Sequence, residues 1–317
     1  MDRVLGLDGG GSKTLLAVAN RDGTVTRLDR SIGLDPLTYP DWQNRLRELL
    51  RGARDGCGPI AAAVTGLPVH GEIARITAEQ DAIAQEIFGS TGKADNDVRV
   101  AFDGALGGKG GVLLLSGTGS MAWASAGGDG AAHIRVGGWS EAFGDEGSAF
   151  WVGREALSET TRVLDKRSEA TAFASAILAA AGTTGEGLLT WAYGLENRRA
   201  GFAALSRAVS ELALNGNATA LAIMGRAADE LAEHAQTAWR LTHSARPLVW
   251  ACAGGTFQSP VLRRMVAERL GSEPEPLRLP PVGGAVLRAA RLAGWTVDEG
   301  WIERLAASLG AHPALAS

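Results

Sequence analysis

Short apolar runs and glycine-rich polar turns alternate at the start of the chain. Residues 4–7 are apolar, Asp8 and three glycines follow, and residues 15–19 are apolar again. Apolar runs of this length, bounded by turn residues, predict buried strands. Residues 25–28 can form a third, antiparallel strand after the turn at Gly23, so the opening predicts a meander of three strands. A glycine turn that approaches an anion and a plain hairpin turn are equally compatible with this pattern.

Strands and helices alternate after the meander. Residues 61–67 predict a buried strand, residues 73–88 a helix, and residues 98–102 a strand that ends in Asp103. This alternation predicts an open α/β sheet, in which ligands bind at the carboxyl ends of the strands. Asp103 is therefore expected at that ligand-binding edge, and an N-cap for the short segment 104–107 is its alternative role.

The strand, turn, strand pattern recurs about a hundred residues later. Residues 112–115 are apolar, a turn of glycines and hydroxyls follows, and residues 121–124 form the next run. The repeat predicts two domains with similar openings, each of which presents N–H and O–H donors to one polyphosphate. Two independent hairpins are the alternative. A third glycine loop, at residues 254–256, follows the apolar run 247–253.

The segment 137–151 is rich in glycine and acidic residues, and it precedes a predicted helix. Asp145 is placed to cap that helix, and Glu146 favours its first turn. Residues 170–243 have a helical, alanine-rich pattern, which predicts a scaffold with Trp191, Phe202 and Trp239 in its core.

Composition narrows the class of protein. The chain has 317 residues, a net charge of −4 and two cysteines, Cys57 and Cys252. Its length suffices for two domains, and no Lys/Arg run is dense enough to follow a nucleic acid backbone. Two distant cysteines predict reduced thiols in a cytoplasmic protein. We find no signal peptide pattern and no uncharged apolar run of about 18 residues in the sequence. Secretion and membrane insertion are therefore disfavoured.

Three segments, DGGGSKT, LSGTGS and GGWSEAFGDEGSAFW, resemble the BadF/BadG/BcrA/BcrD-type ATPase family, and within it the N-acetylglucosamine and glucosamine kinase branch. The resemblance extends from residue 1 to about residue 295. It implies the α/β fold of two-lobed actin-like ATPases, which is ribonuclease H-like, with a mixed sheet flanked by helices in each lobe and the nucleotide in the interlobe cleft. It implies a first lobe of residues 1–109, completed by a C-terminal helix within 283–317, and a second lobe of residues 110–282.

The resemblance also implies an ATP-dependent sugar kinase that uses Mg²⁺. Asp103 matches the base that accepts the sugar hydroxyl proton, and Asp8 matches the residue that holds Mg²⁺ through water. The residues matched to ATP binding are Gly9, Gly10, Gly11, Ser12, Lys13, Thr14, Gly117, Thr118, Gly119, Ser120, Gly254, Gly255 and Thr256. The residues matched to the sugar are Asp103, Thr118, Gly137, Gly138 and Asp145. The expected partners are a small-molecule sugar and, as an option, a second copy of the chain.

The sequence departs from the kinase branch at sugar-facing positions. The loop 31–40 has no Asn, Met121 stands where another Asn is common, and residues 67–70 replace a Ser-rich loop with Leu-Pro-Val-His. The 6-hydroxyl of an amino sugar is the expected acceptor, and a non-amino sugar is the alternative. Two further alternatives stay open: an ATPase that activates a radical dehydratase or reductase through a cysteine-held iron–sulfur cluster, and a non-catalytic sensor.

Overall fold

The computed structural model describes residues 2–128 and 131–312. The chain divides into two compact units, Met1–Lys109 with Pro276–Ser317, and Gly110–Glu275. The sequence prediction ended the second unit at residue 282, about seven residues too late. The chain returns earlier because the amides of Arg278 and Leu279 donate to the carbonyl oxygens of Ala105 and Gly104 in the first unit.

The described residues form nine strands and twelve α-helices. The strands are β1 Arg3–Gly9, β2 Lys13–Asn20, β3 Val25–Ile32, β4 Ala62–Leu67, β5 Gly92–Asn96, β6 Gly111–Ser116, β7 Ser120–Ser125, β8 His133–Gly137 and β9 Trp250–Ala253. The helices are α1 Trp42–Cys57, α2 Ala74–Phe88, α3 Asp97–Ala105, α4 Ala149–Leu164, α5 Thr171–Ala181, α6 Leu188–Gly194, α7 Arg198–Ala204, α8 Ser206–Leu214, α9 Ala218–Leu241, α10 Pro260–Leu270, α11 Pro281–Leu292 and α12 Glu299–Gly310.

The first unit is a mixed five-stranded sheet in the order β3-β2-β1-β4-β5. Strands β1 to β3 are antiparallel, whereas β1, β4 and β5 are parallel. Alternate side chains of β1 point to opposite faces, so Leu5 and Leu7 pack with α1 and α2 while Val4 packs with α11. The carboxyl ends of β1, β4 and β5 therefore meet at one edge of the sheet.

The strand predicted over residues 98–102 is wrong. These residues belong to α3, and the strand is β5, which ends at Asn96. The Asn96 side chain accepts a hydrogen bond from the Val98 amide, which is an N-cap that begins a helix there. Val100 and Phe102 are both buried in that helix, although they point to different sides of it. Asp103 consequently lies in the last turn of α3 and not at a strand end.

The second unit is a four-stranded mixed sheet in the order β8-β7-β6-β9. Strands β6 and β9 are parallel, and the other neighbours are antiparallel. The 24-residue helix α9 packs on this sheet through buried alanines such as Ala227, Ala228 and Ala235, whose small side chains permit close approach. Trp250 fills the centre of the core from β9. As in the first unit, a glycine turn connects the first two strands.

Glycines set the distance between α3 and α11 in the first unit. A Cβ at Gly284 would lie 1.9 Å from the Val100 carbonyl oxygen and 2.5 Å from the Gly104 amide nitrogen. We expect Gly284→Ala to lower the free energy of unfolding by about 2 kcal/mol, because overpacking costs more than the better helix propensity of alanine contributes. The measurement is the shift of the urea midpoint.

Gly52→Ala is the matched control, since Gly52 is an exposed residue of α1 and a Cβ there meets nothing within 4 Å. It should raise stability by about 0.5–1 kcal/mol through helix propensity alone. Equal effects of the two substitutions would contradict the packing argument.

Candidate functional site

The first glycine turn, Gly9 to Ser12, connects β1 and β2 and is open to solvent at its apex. The Gly10 amide donates to the Lys13 carbonyl oxygen at 2.9 Å, and the Leu34 amide donates to the Gly10 carbonyl oxygen at 3.1 Å. Gly11, Ser12 and Lys13 are exposed. The turn is thus braced from one side and presents backbone groups on the other, as an anion site requires.

Thr14 differs from its neighbours in the turn. Its side chain is 1% exposed, and its hydroxyl has no hydrogen-bond partner among the described residues. The expected contact of Thr14 with phosphate stays a prediction, whereas Ser12 and Lys13 are accessible.

Asp8 and Asp97 form a pair of partly buried carboxylates in the first unit. Asp8 occupies the end of β1, and Asp97 is the first residue of α3, directly after β5. Burial raises the pKa of Asp8 to about 7, with a contribution from the negative charge of Asp97 that the Lys13 charge opposes. Burial also raises the pKa of Asp97 to about 6, and Glu72 and Asp35 contribute to that rise. Two such carboxylates in one place attract a cation or a proton.

A strained loop borders Asp97. Val69, which follows β4, has a φ of +53°, a conformation that β-branched residues rarely adopt. The Asn96 side-chain amide donates to the His70 carbonyl oxygen at 2.9 Å, which ties this loop to the helix cap beside Asp97. The His70 ring lies against Asp81, with Nε2 3.2 Å from the carboxylate. His70 is therefore held by α2 through its ring and by Asn96 through its backbone.

Asp103 is part of an ion-pair network behind the strand ends. Arg288 of α11 donates through Nη1 to Asp103 at 2.8 Å and through Nη2 to Asp95 at 2.5 Å. Burial raises the pKa of Asp103, and the Arg288 charge opposes that rise. The network joins β5, α3 and α11. The strand-end position that the sequence predicted for Asp103 is thus wrong, and Asp97 has that position instead.

The second glycine turn, Gly117 to Gly119, connects β6 and β7 in the second unit. Ser116 Oγ donates to the Gly147 carbonyl oxygen at 3.0 Å, and Ser120 Oγ donates to the Glu146 carbonyl oxygen at 2.6 Å. The Ala149 amide donates to the Gly117 carbonyl oxygen at 2.8 Å. Thr118 is exposed at the apex. The turn and the segment before α4 are thus fixed to each other.

Asp145 links the same two segments through its side chain. It is 2% exposed, has a φ of +57°, and accepts a hydrogen bond from the Ser120 amide at 3.3 Å. Arg199 Nη2 donates to its other oxygen at 2.6 Å. The predicted capping role is wrong, because Ser148 is the N-cap of α4 and its hydroxyl accepts from the Trp151 amide. Sequence reasoning missed Arg199, which lies 54 residues from Asp145 and carries no local motif.

Two glycines at the end of β8 adopt left-handed conformations. Gly137 and Gly138 have φ values of +78° and +74°. The His234 ring of α9 packs beneath Gly137, where a Cβ would lie 3.1 Å away, and the Met121 side chain packs against Gly138. Burial lowers the pKa of His234, and Glu146 opposes this.

The third glycine loop lies beside the second. Gly254 has a φ of +106°, and a Cβ there would be 2.2 Å from the Ser116 carbonyl oxygen, so only glycine fits. Thr256 Oγ1 donates to the Gly117 carbonyl oxygen at 3.3 Å. A cavity of about 160 Å³ adjoins this loop. Its lining includes Ser206, Arg207, Ser210, Glu211, Met224 and Gly255. The α8 residues of this lining were not predicted, because nothing in their spacing distinguishes them from scaffold.

A model of the BadF/BadG/BcrA/BcrD ATPase family matches residues 5–289. The chain belongs to this family. The match includes all three glycine loops, Asp8, Asp97 and Asp145. No helix in the described part of this family member has the length and apolar character that crossing a membrane requires.

The proteins to which this chain is similar include sugar kinases. It is 26% identical over 239 residues to an N-acetylmuramic acid/N-acetylglucosamine kinase of Clostridium acetobutylicum, covering 73% of this chain and 77% of that protein. A solved structure of a candidate N-acetylglucosamine kinase from Chromobacterium violaceum is 25% identical, with a TM-score of 0.65 over 91% of this chain and 99% of that one. A ROK family glucokinase from Streptomyces griseus shares the fold at 16% identity, with a TM-score of 0.51 over 93% of this chain and 100% of that one.

The pKa values of Asp8 and Asp97 predict how stability depends on pH in the metal-free protein. Both carboxylates have higher pKa values when folded, so the folded state binds more protons than the unfolded state between pH 5 and pH 8. Stability therefore falls as pH rises through this range, by about 2 kcal/mol, since partial contact with water reduces the full effect. Urea unfolding in EDTA at both pH values measures it.

Asp8→Asn should remove most of this fall, because the amide cannot ionise. An unchanged pH dependence in that variant would contradict the assignment of the raised pKa to Asp8.

Proposed function

We propose that this protein is an ATP-dependent carbohydrate kinase that transfers the γ-phosphate to a sugar hydroxyl. The observation that carries the proposal is the partly buried Asp97 carboxylate at the end of β5, beside Asp8 and its glycine turn. A carboxylate at a strand end of a mixed sheet, next to a phosphate turn, suits in-line phosphoryl transfer. Family membership and the kinases among the relatives support the proposal.

In this proposal Asp97 is the general base. A base works best when its pKa approaches the working pH, and burial brings the Asp97 pKa to about 6. The Asn96 cap fixes the start of α3, so the carboxylate has a defined position. Asp97 would accept the proton of the sugar hydroxyl as that oxygen attacks the γ-phosphorus. The role that the sequence assigned to Asp103 passes to Asp97.

The surroundings of Asp8 also fit a magnesium ion. Mg²⁺ takes few protein ligands in phosphoryl-transfer sites and keeps several of its water ligands. Burial raises the pKa of Asp8 and the negative charge of Asp97 adds to that rise, so a bound cation would favour the ionised form of Asp8. When bound, Mg²⁺ neutralises charge on the phosphates during transfer. Asp8 would hold the ion's water ligands.

The glycine turns of each unit would supply donors to phosphate, and the cavity beside Gly255 would hold the adenosine. The turn at Gly117 to Ser120 is fixed by its hydrogen bonds to residues 145–149, so donors aimed at phosphate would need no rearrangement. The cavity lies beside this turn in the same unit, and its polar rim offers Ser206, Arg207 and Glu211. These polar side chains could donate to and accept from the ribose hydroxyls and the base of a nucleoside, and Met224 adds an apolar surface.

The acceptor we propose is an amino sugar, phosphorylated on its 6-hydroxyl. The relative from Clostridium acetobutylicum, which acts on N-acetylmuramic acid and N-acetylglucosamine, supports this choice. Gly137 and Gly138 would contact the sugar through backbone groups, and Asp145 would accept from its hydroxyls. An ADP-release assay against glucosamine, N-acetylglucosamine, N-acetylmuramic acid, glucose and keto-sugar acids tests the proposal.

The cysteines do not favour the activator alternative. Cys57 is buried in the core between α1 and the first sheet, and Cys252 is half-buried in β9 of the other unit. Neither thiol stands on an exposed loop where a shared cluster could form.

Asp97→Asn should reduce kcat by about 10³-fold or more while nucleotide affinity changes little, because the amide cannot accept the hydroxyl proton. The measurement is steady-state ADP release with the preferred sugar of the panel, beside calorimetric binding of a non-hydrolysable ATP analogue.

Asp103→Asn is the matched comparison. It removes a carboxylate partner from Arg288, so we expect a lower unfolding temperature but a kcat within about threefold of the parent protein. If Asp103→Asn abolishes turnover and Asp97→Asn does not, our assignment of the base is wrong.

Gly255→Val tests the nucleotide cavity. A Cβ at Gly255 meets nothing within 4 Å, so the larger side chain would enter the cavity mouth without straining the fold. We expect the Kd for ATP to rise by about tenfold or more. Gly194→Val is the control, because Gly194 is a glycine of the same unit with equally open surroundings outside the cavity. The same loss of affinity in both variants would place the nucleotide elsewhere.

A further inference from the structure

A single guanidinium holds both carboxylates of the segment Glu141 to Asp145. Arg199 Nη2 donates to Asp145 at 2.6 Å, and its Nε lies 3.3 Å from Glu141. The Nε hydrogen has no aligned acceptor among the described residues, so the attraction to Glu141 is electrostatic. Asp145 is buried whereas Glu141 is half-buried. The contact with Asp145 is therefore the stronger of the two.

The core of the second unit fixes the position of Arg199. Arg199 is the second residue of α7, and the Asn197 side chain caps that helix by accepting from the Ala200 amide at 2.9 Å. Phe202, one turn later, stacks on Phe150 at a centroid distance of 5.9 Å. Gly153 of α4 permits the close approach, because a Cβ there would lie 1.9 Å from the Phe202 carbonyl oxygen. The guanidinium thus extends from a rigid support.

The ion pair lies against the second glycine turn. A Cβ at Gly119 would be 2.8 Å from Arg199 Nη2 and 2.8 Å from an Asp145 oxygen. The next residue, Ser120, donates its amide to the other Asp145 oxygen. Asp145 therefore joins the turn to the glycine-rich segment, and Arg199 supplies the positive charge that keeps this carboxylate in place.

We propose that Arg199 is a positioning residue that acts through Asp145 to lock the phosphate turn and the sugar segment into one arrangement. The proposal rests on the proposed function for the assignment of those two segments. Without the guanidinium, Asp145 would be a buried carboxylate with no countercharge, and it would reorient toward water. That movement withdraws the acceptor from the Ser120 amide. Lysine replaces only part of the contact, since it lacks the planar fork.

The test uses the full chain with Arg199→Met, Arg199→Lys, Asp145→Asn and the double variant Arg199→Met/Asp145→Asn. Hydrogen exchange of residues 116–125 and 138–147 should speed up by about tenfold in Arg199→Met and less in Arg199→Lys. Calorimetry with the ATP analogue should show weaker binding, and kcat/KM for N-acetylglucosamine should fall by about 10–100-fold, because small misplacements of binding groups cost that much. The double variant should be no worse than Arg199→Met alone, since the stranded charge is gone.

Arg226→Met is the matched control. Arg226 is an exposed arginine of the same unit that pairs with Glu155 at 3.0 Å and stacks on Trp151, away from the glycine turns. It should leave exchange over residues 116–125 and kcat/KM unchanged. Unchanged exchange in Arg199→Met, or equal effects of Arg199→Met and Arg226→Met, overturns the inference. A parent protein that binds no nucleotide overturns the proposed function alone, because the exchange measurement needs neither nucleotide nor sugar.

Discussion

Two carboxylates held close together at strand ends are the constraint on which the first unit depends. Asp8 and Asp97 repel each other when ionised, and burial adds to the cost, so the fold must enforce their proximity. Parallel pairing of β1, β4 and β5 brings the strand ends together, and the Asn96 cap starts α3 at that point. The raised pKa values record this cost. Carboxylates with raised pKa values that lie close together are common at functional sites.

Interactions among α11, β5 and α3 support the Asp8 and Asp97 pair. Arg288 joins Asp95 and Asp103 across α11, β5 and α3, and Gly284 lets α11 approach α3 closely. The position of α11 against β5 and α3 is thus fixed by partly buried ion pairs and by close backbone packing. In the second unit, side-chain hydrogen bonds likewise hold a glycine turn in place. There, the hydroxyls of Ser116 and Ser120 donate to carbonyl oxygens of the segment before α4, and the apex of the turn is exposed.

Much of the fold could be predicted from the sequence, because glycine turns between apolar runs have few structural solutions. The main error concerned residues 98–102, where Val98, Val100 and Phe102 alternate as in a strand. Alternation over five residues does not distinguish a strand from a short helix that is buried on more than one side, as α3 is. The decisive signal was the Asn96 side chain, whose capping role depends on geometry that the sequence does not contain. Arg199 could not be predicted, because its partner lies 54 residues away and the pairing is created by tertiary packing.

The structure shows which side chains occupy the positions where this sequence departs from the kinase branch, and what they contact. In the loop after β3, both Asp35 oxygens are used within the loop, by the Leu37 amide at 2.9 Å and the Thr38 hydroxyl at 2.7 Å. In the second unit, the Met121 side chain packs on Gly138 where an amide is common in the branch. Sites that pair buried polar groups with a substrate reject analogues sharply, whereas apolar surfaces discriminate weakly. With two amides lost, we expect recognition to rely on backbone groups and to tolerate variation around the sugar ring.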